Sequence, residues 1–174
     1  MSWQDKLRQV EPYVAGEQPK ISNMIKLNTN ENPYGPSNQV KEVLKEIDIE
    51  KLKLYPNSDG EELRHALADY HGLKDNQVFL GNGSDEVLAL TFLTFFNGKE
   101  PVLFPNISYS FYPVYCDLYQ MSYKEVLLDQ DFKINVEDFK QPNSGIIFPN
   151  PNAPTGLLFK TSSIKSKETS NPVG

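Results

Sequence analysis

Apolar residues along this chain follow two alternating rhythms. Val40, Val43, Leu44 and Ile47 recur at helical spacing behind Ser37, a residue suited to cap a helix start, and they predict an amphipathic helix. Leu63, Leu67 and Tyr70 mark a second helix over 61–71, which Gly72 ends. Short apolar runs at 77–80, 101–104, 122–128 and 145–148 predict strands, separated by helical segments at 84–96, 109–119 and 136–140. Strands that alternate with helices predict an α/β fold with a largely parallel sheet covered on both faces. Upstream, residues 1–36 read as a short polar helix followed by a loop-rich arm containing Pro12, Pro19, Pro33 and Pro36.

In open parallel sheets, ligands bind beyond the carboxyl ends of the strands. The turns around Gly81 and around Pro149-Asn150-Pro151 fall at such ends. In Val78-Phe79-Leu80-Gly81-Asn82-Gly83-Ser84-Asp85-Glu86, an apolar run meets a glycine turn and then a helical pattern. This segment has two readings. Asn82-Gly83 is a hairpin turn signal; alternatively, the glycines let backbone approach a phosphate while the first-turn N–H groups of the next helix point at it. The helical spacing of Val87, Leu88, Leu90, Thr91 and Phe95 favours the cradle.

Composition narrows the function classes. At 174 residues and net charge −6, with acids and bases interspersed, the chain suits one domain and lacks a basic stripe for nucleic acid or membrane. Cys116 is the single cysteine, which excludes an internal disulfide and fits a reducing cytoplasm. Met1-Ser2-Trp3-Gln4-Asp5-Lys6 has no apolar signal core, and the apolar run 87–96 is far short of the roughly 20 residues that span a bilayer. His65 and His71 lie on an amphipathic helix with no cysteine or carboxylate pattern of a metal site, so they read as solvated side chains and no metal is expected.

Five blocks in register carry a resemblance. They are Leu27-Asn28-Thr29-Asn30-Glu31-Asn32-Pro33-Tyr34-Gly35-Pro36, Tyr55-Pro56, Gly81-Asn82-Gly83-Ser84-Asp85-Glu86, Ser108-Tyr109-Ser110-Phe111-Tyr112 and Asn150-Pro151-Asn152-Ala153-Pro154-Thr155-Gly156. In order and spacing the chain resembles the N-terminal half of histidinol-phosphate aminotransferases, which are fold-type I pyridoxal-phosphate enzymes, from Met1 to about Gly156. The resemblance implies the three-layer αβα large domain of that fold, incomplete here. It divides the chain into an arm and small-domain portion at 1–36, a partial cofactor-binding domain at 37–156 and a divergent tail at 157–174, whose Ser, Thr, Lys and Asn content reads as disordered. It also implies amino transfer between histidinol phosphate and 2-oxoglutarate, giving imidazole acetol phosphate and L-glutamate in histidine biosynthesis, by a cytoplasmic homodimer with pyridoxal 5'-phosphate as cofactor. Other readings are a non-catalytic fragment, an aromatic amino-acid aminotransferase or an amino-acid phosphate decarboxylase of the same fold.

The resemblance also assigns residues. Gly83, Ser84 and Asp85 hold the cofactor phosphate, and Tyr109 lies flat against the pyridine ring, an aromatic restraint on the cofactor. Tyr55 reaches the phosphate of a neighbouring subunit, and Tyr13 and Asn30 approach substrate. By type alone, Tyr109 is an ordinary core aromatic, Tyr55 a strand-end aromatic, and Tyr13 and Asn30 plain loop residues. Ala153 departs from the pattern, since many relatives carry there an asparagine whose amide bonds the cofactor's phenolic oxygen. Either Asn152 stands in as the nearest amide, or relatives with Asn-Ala-Pro use another donor later in the chain. The Schiff-base lysine matches no position of this chain, because Lys160, Lys165 and Lys167 lie in other contexts, so no turnover is expected of these 174 residues alone.

Overall fold

The structure, a computed structural model, describes residues 2–7, 16–17, 19–160 and 162. Tyr13 and, within the 157–174 tail, residues 161 and 163–174 lie outside the described residues. The chain divides into two units, Val14–Gly81 and Asn82–Gly174 taken with Met1–Tyr13. The short polar helix expected near the start is a single 3-10 turn, Trp3–Lys6, capped by Ser2.

In the unit Val14–Gly81, α1 spans Asn38–Lys45 behind an extended Ser37 whose hydroxyl makes no cap bond. Its apolar face is in place but uncovered: Val40, Val43, Leu44 and Ile47 are all exposed. A 3-10 turn, Ile49–Lys53, follows, with the Asp48 carboxylate accepting from the Glu50 N–H at 3.1 Å. Helix α2, Glu61–His71, is bracketed by two left-handed glycines. Gly60 has φ 56°, and a Cβ there would sit 2.8 Å from Leu80 Cδ1. Gly72 closes the other end with φ 65°, which lets the Leu73 N–H reach the Ala68 carbonyl at 2.8 Å.

The run 77–80 is not a strand. After the 3-10 turn Asp75–Gln77 it continues as irregular chain with Phe79 exposed. A strand exists only through its ladder, and the ladder found among the described residues does not include this segment.

The second unit contains the sheet. Helix α3 runs Gly83–Phe95, β1 Val102–Pro105, α4 Tyr112–Tyr119, β2 Tyr123–Val126 and β3 Gly145–Ile146. The helical reading of the Gly83 turn therefore replaces the hairpin. The strand order is β2-β1-β3, all parallel, with Val102 paired to Tyr123 on one side and to Gly145 on the other. All four residues of the central β1 are buried, as a strand covered on both faces requires.

Successive side chains of β1 serve opposite faces. Val102 and Phe104 pack with Phe92 of α3 and with Tyr112, Tyr115 and Cys116 of α4. Leu103 packs behind the sheet with Val126 and Phe139. Gly145 permits the close approach of Phe96, whose Cδ1 would lie 2.3 Å from an added Cβ. Strands β2 and β3 are shorter than the apolar runs 122–128 and 145–148. Strand β3 stops at Ile146 as Phe148-Pro149 approaches, where proline offers no donor, and the 136–140 helix is one 3-10 turn, Val136–Phe139. Helix α4 starts at Tyr112, three residues later than expected, with Pro113 in its first turn.

Candidate functional site

Three loops meet beyond the carboxyl ends of the strands. The first is the start of α3. Gly83 has φ 78°, a conformation natural to glycine, and an added Cβ would meet nothing within 4 Å. Asn82 precedes the helix without a side-chain cap bond, so the Gly83, Ser84 and Asp85 N–H groups keep the donor capacity of an open first turn. The Glu86 carboxylate folds back onto the Asn82 N–H at 2.5 Å. Gly83, Ser84 and Asp85 are all exposed.

The second loop follows β1. Asn106 accepts from the Leu128 N–H at 2.9 Å and so ties this loop to the chain leaving β2. Tyr109 then reaches α3, its hydroxyl donating to Asp85 Oδ1 at 2.8 Å. Its ring stands edge-on to Tyr112, centroids 5.5 Å apart, and stacks with Phe111 at 6.2 Å. Tyr115 donates to the Asp85 backbone carbonyl at 3.0 Å. Burial, and then the neighbouring Asp85, push the Tyr115 phenol up to about 12, so it stays a donor. Two tyrosines thus hold Asp85, one by its carboxylate and one by its backbone.

The third loop is 149–157, shaped by cis bonds before Pro151 and Pro154 and by the left-handed Gly156. Within it Asn152 is 3% exposed, and among the described residues it is the buried polar one. Its Nδ2 donates to the Ile107 carbonyl at 2.9 Å and to Thr155 Oγ1 at 3.2 Å, while Oδ1 accepts from Ser108 Oγ at 2.9 Å. A cleft of about 330 Å³ lies between the second and third loops, walled by Asn106, Ser108, Tyr109, Pro113, Glu125 and Pro154; no residue of the α3 start lines it.

Of the sequence-predicted residues, the structure therefore brings Gly83, Ser84, Asp85 and Tyr109 together and ties Asn152 to them through Ser108. Tyr55 and Asn30 belong to the unit Val14–Gly81. Tyr55 is fully exposed just beyond the 49–53 turn, and Asn30 is an exposed left-handed residue with φ 52°. Sequence reasoning missed Ser108, Tyr115 and Asn106 as site-building residues. Tyr115 was findable from its helical spacing to Phe111 and Tyr112, but nothing in a local pattern reports a bond between residues 44 apart such as Ser108–Asn152.

His65 lies outside this site. Its Nδ1 faces Asp75 at 3.1 Å and its Nε2 faces Asp69 at 3.5 Å, and these carboxylates raise its pKa above 6.5, the Asp75 bond contributing most. Among the described residues no group of His, Cys, Asp and Glu is placed to hold a metal ion, and no helix is long and apolar enough to cross a membrane.

An open helix N-terminus and a tethered aromatic ring lie at the carboxyl end of the parallel sheet of an α/β protein, the end at which open parallel sheets bind ligands. The profile of the family described as "Aminotransferase class I and II" matches residues 22–166, and the chain belongs to that family. It is 56% identical over 165 residues to the histidinol-phosphate aminotransferase of Lactococcus lactis subsp. cremoris strain SK11, covering 95% of this chain and 46% of that protein. Identity is 52% over 163 residues to the histidinol-phosphate aminotransferase of Pseudomonas putida KT2440, covering 94% and 47%. Histidinol-phosphate aminotransferase 1 of Pseudomonas aeruginosa PAO1 is 51% identical over 170 residues, covering 98% and 48%. The fold matches a solved structure from Erwinia carotovora atroseptica SCRI1043, a candidate histidinol-phosphate aminotransferase, with a TM-score of 0.72 at 21% identity over 87% of this chain and 45% of that one. The chain spans about half the length of the curated relatives it matches.

Proposed function

We propose that this chain forms the cofactor-holding part of a histidinol-phosphate aminotransferase, a pyridoxal 5'-phosphate enzyme of histidine biosynthesis acting in the cytoplasm as a homodimer. The names of relatives more than 50% identical over nearly the whole chain support the activity, in which an amino group passes between histidinol phosphate and 2-oxoglutarate. One observation carries the cofactor reading: the uncapped first turn of α3, with space beside Gly83, lies next to the tethered Tyr109.

That geometry fits the group. A phosphate matches the donors and the positive end of the helix dipole, and an aromatic face matches a pyridine ring. The two carboxylates of this turn are already engaged, Asp85 by Tyr109 and Glu86 by the Asn82 N–H. When bound, the cofactor supplies an electron sink. The chain's own part is positional. Gly83, Ser84 and Asp85 grip the phosphate through backbone N–H groups and the Ser84 hydroxyl, Tyr109 restrains the ring, and Asp85 fixes Tyr109. Tyr55 serves the phosphate of a neighbouring subunit, and Tyr13 and Asn30 lie along the approach of substrate.

Pyridoxamine 5'-phosphate tests this reading on the chain itself, because it carries the same phosphate and ring yet needs no lysine. Its fluorescence should report saturable binding that inorganic phosphate competes away. Absence of binding, or binding indifferent to phosphate, overturns the cradle.

A further inference from the structure

Asn152 is the nearest amide to the position where the resemblance expects a donor for the cofactor's phenolic oxygen, but both of its N–H donors are already engaged. A side-chain amide has two N–H donors and one oxygen. Here one N–H goes to the Ile107 carbonyl and the other to Thr155 Oγ1, while the oxygen takes the Ser108 hydroxyl proton. The Thr155 hydroxyl, having accepted from Asn152, donates to the Asn152 backbone carbonyl at 3.2 Å. The amide orientation is fixed, since flipping it would set two oxygens against each other at Ile107. The backbone of Asn152 is equally committed: its N–H donates to the Leu157 carbonyl at 2.9 Å and its carbonyl accepts from the Gly156 N–H at 2.7 Å. A ligand could borrow an amide proton only by orphaning a half-buried partner, at a loss of roughly tenfold in affinity.

What these bonds hold is the segment leading into Tyr109. Asn106 is tied to the Leu128 N–H, Ile107 and Ser108 to Asn152, and Tyr109 to Asp85. We infer that Asn152 is a positioning residue that sets the plane of the Tyr109 ring through Ser108 and Ile107 and does not touch the cofactor. This rests on the cofactor reading above for its purpose, though not for its geometry. Ala153 has no donor, so the phenolic oxygen takes no side-chain hydrogen bond from 152–153.

The test uses the 174-residue chain, pyridoxamine 5'-phosphate as probe, and the variants Asn152→Ala, Asn152→Asp, Ser108→Ala and the Ser108→Ala/Asn152→Ala double. Positioning predicts that each alanine variant weakens probe binding about 10-fold, the effect of roughly one hydrogen bond, and lowers the induced circular dichroism of the bound ring. The double variant should be no worse than the poorer single, because the two residues act as one unit. Asn152→Asp, which keeps the acceptor for Ser108 but faces the Ile107 carbonyl with an oxygen, should fall with the alanine variants. The titration of the bound probe's phenolic oxygen should stay in place in every variant that binds.

If Asn152→Ala shifts that titration while Ser108→Ala leaves binding and dichroism intact, Asn152 touches the cofactor and the inference is overturned. Side-chain amide exchange, read by NMR on the unmodified chain, decides between the two even where variants misfold or no probe binds. Slow exchange of the Asn152 amide protons, speeded in Ser108→Ala, supports the knot; exchange as fast as that of a surface asparagine sinks it. Failure of probe binding alone would instead count against the cofactor reading.

Discussion

The two units use similar sequence patterns with opposite results. In Asn82–Gly174, helices α3 and α4 lay their aromatic residues on β1, and Phe92, Val102, Phe104, Tyr112, Tyr115 and Cys116 are buried together. In Val14–Gly81, α1 and α2 carry amphipathic faces, yet Ala68 is the buried residue of these helices and Val43, Leu44 and Leu63 remain exposed. Amphipathicity reports which face of an element seeks cover; a sheet supplies that cover here, and among the described residues only one unit has a sheet. Stability should therefore be concentrated around β1.

The largest expected effect breaks that concentration. Phe104→Ala should cost about 3–5 kcal/mol, the usual range for emptying a buried phenylalanine site, and should lower the urea midpoint of the sheet unit sharply. Leu44→Ala on the exposed face of α1 should change it by less than about 0.5 kcal/mol. Equal losses would show that α1 is covered in solution and that the contrast is false.

Gly83→Val comes next. A β-branched residue forced to φ 78° is strained by roughly 1–2 kcal/mol, and the first-turn donors would be displaced from the phosphate. Binding of pyridoxamine 5'-phosphate should fall at least about tenfold while the β1 core persists. Unchanged affinity would reduce the loop to a turn.

Alkaline pH should sharpen the contrast. Burial pushes the Cys116 thiol up to about 12 from an ordinary 9, and the Tyr112 and Tyr115 phenols up to about 12 from 10. Unfolded, these groups lose protons from about pH 9 upward; folded, they keep them until about 12. The unfolded state then binds fewer protons, so this contribution is complete below about pH 9 and is lost as pH climbs towards 12. Urea midpoints followed from about pH 8 to about pH 11 should decline, and Cys116→Ala should delay the onset. A flat profile would mean these side chains are not enclosed.

The smallest effect lies in the helical unit. Carboxylates of Asp75 and Asp69 hold the exposed His65 above its ordinary 6.5, so its favourable charge is present below that pH and fades as pH rises through the shifted value. Asp75→Asn should return the imidazole titration towards 6.5 by NMR, with little change in unfolding. A titration that did not move would remove the Asp75 contact.

Much of this molecule was legible as one-dimensional pattern. Helix α2 falls on its predicted bounds because period and glycine stop lie within or beside its own eleven residues, and β1 is readable as a wholly apolar run. The five motif blocks likewise carried the family, and the glycine turn carried the start of α3. Partnership was decided in three dimensions. The run 77–80 has the composition of a strand but no place in the ladder found among the described residues, and the α1 stripe is left exposed. Asn152 looks like a ligand-facing amide until Ile107 and Thr155 are seen to take both of its N–H donors and Ser108 to bond its oxygen. Sequence determined which groups this protein can offer, because propensity and periodicity are local. Tertiary structure decided which are already taken, because a hydrogen bond or a ladder depends on residues tens of positions away.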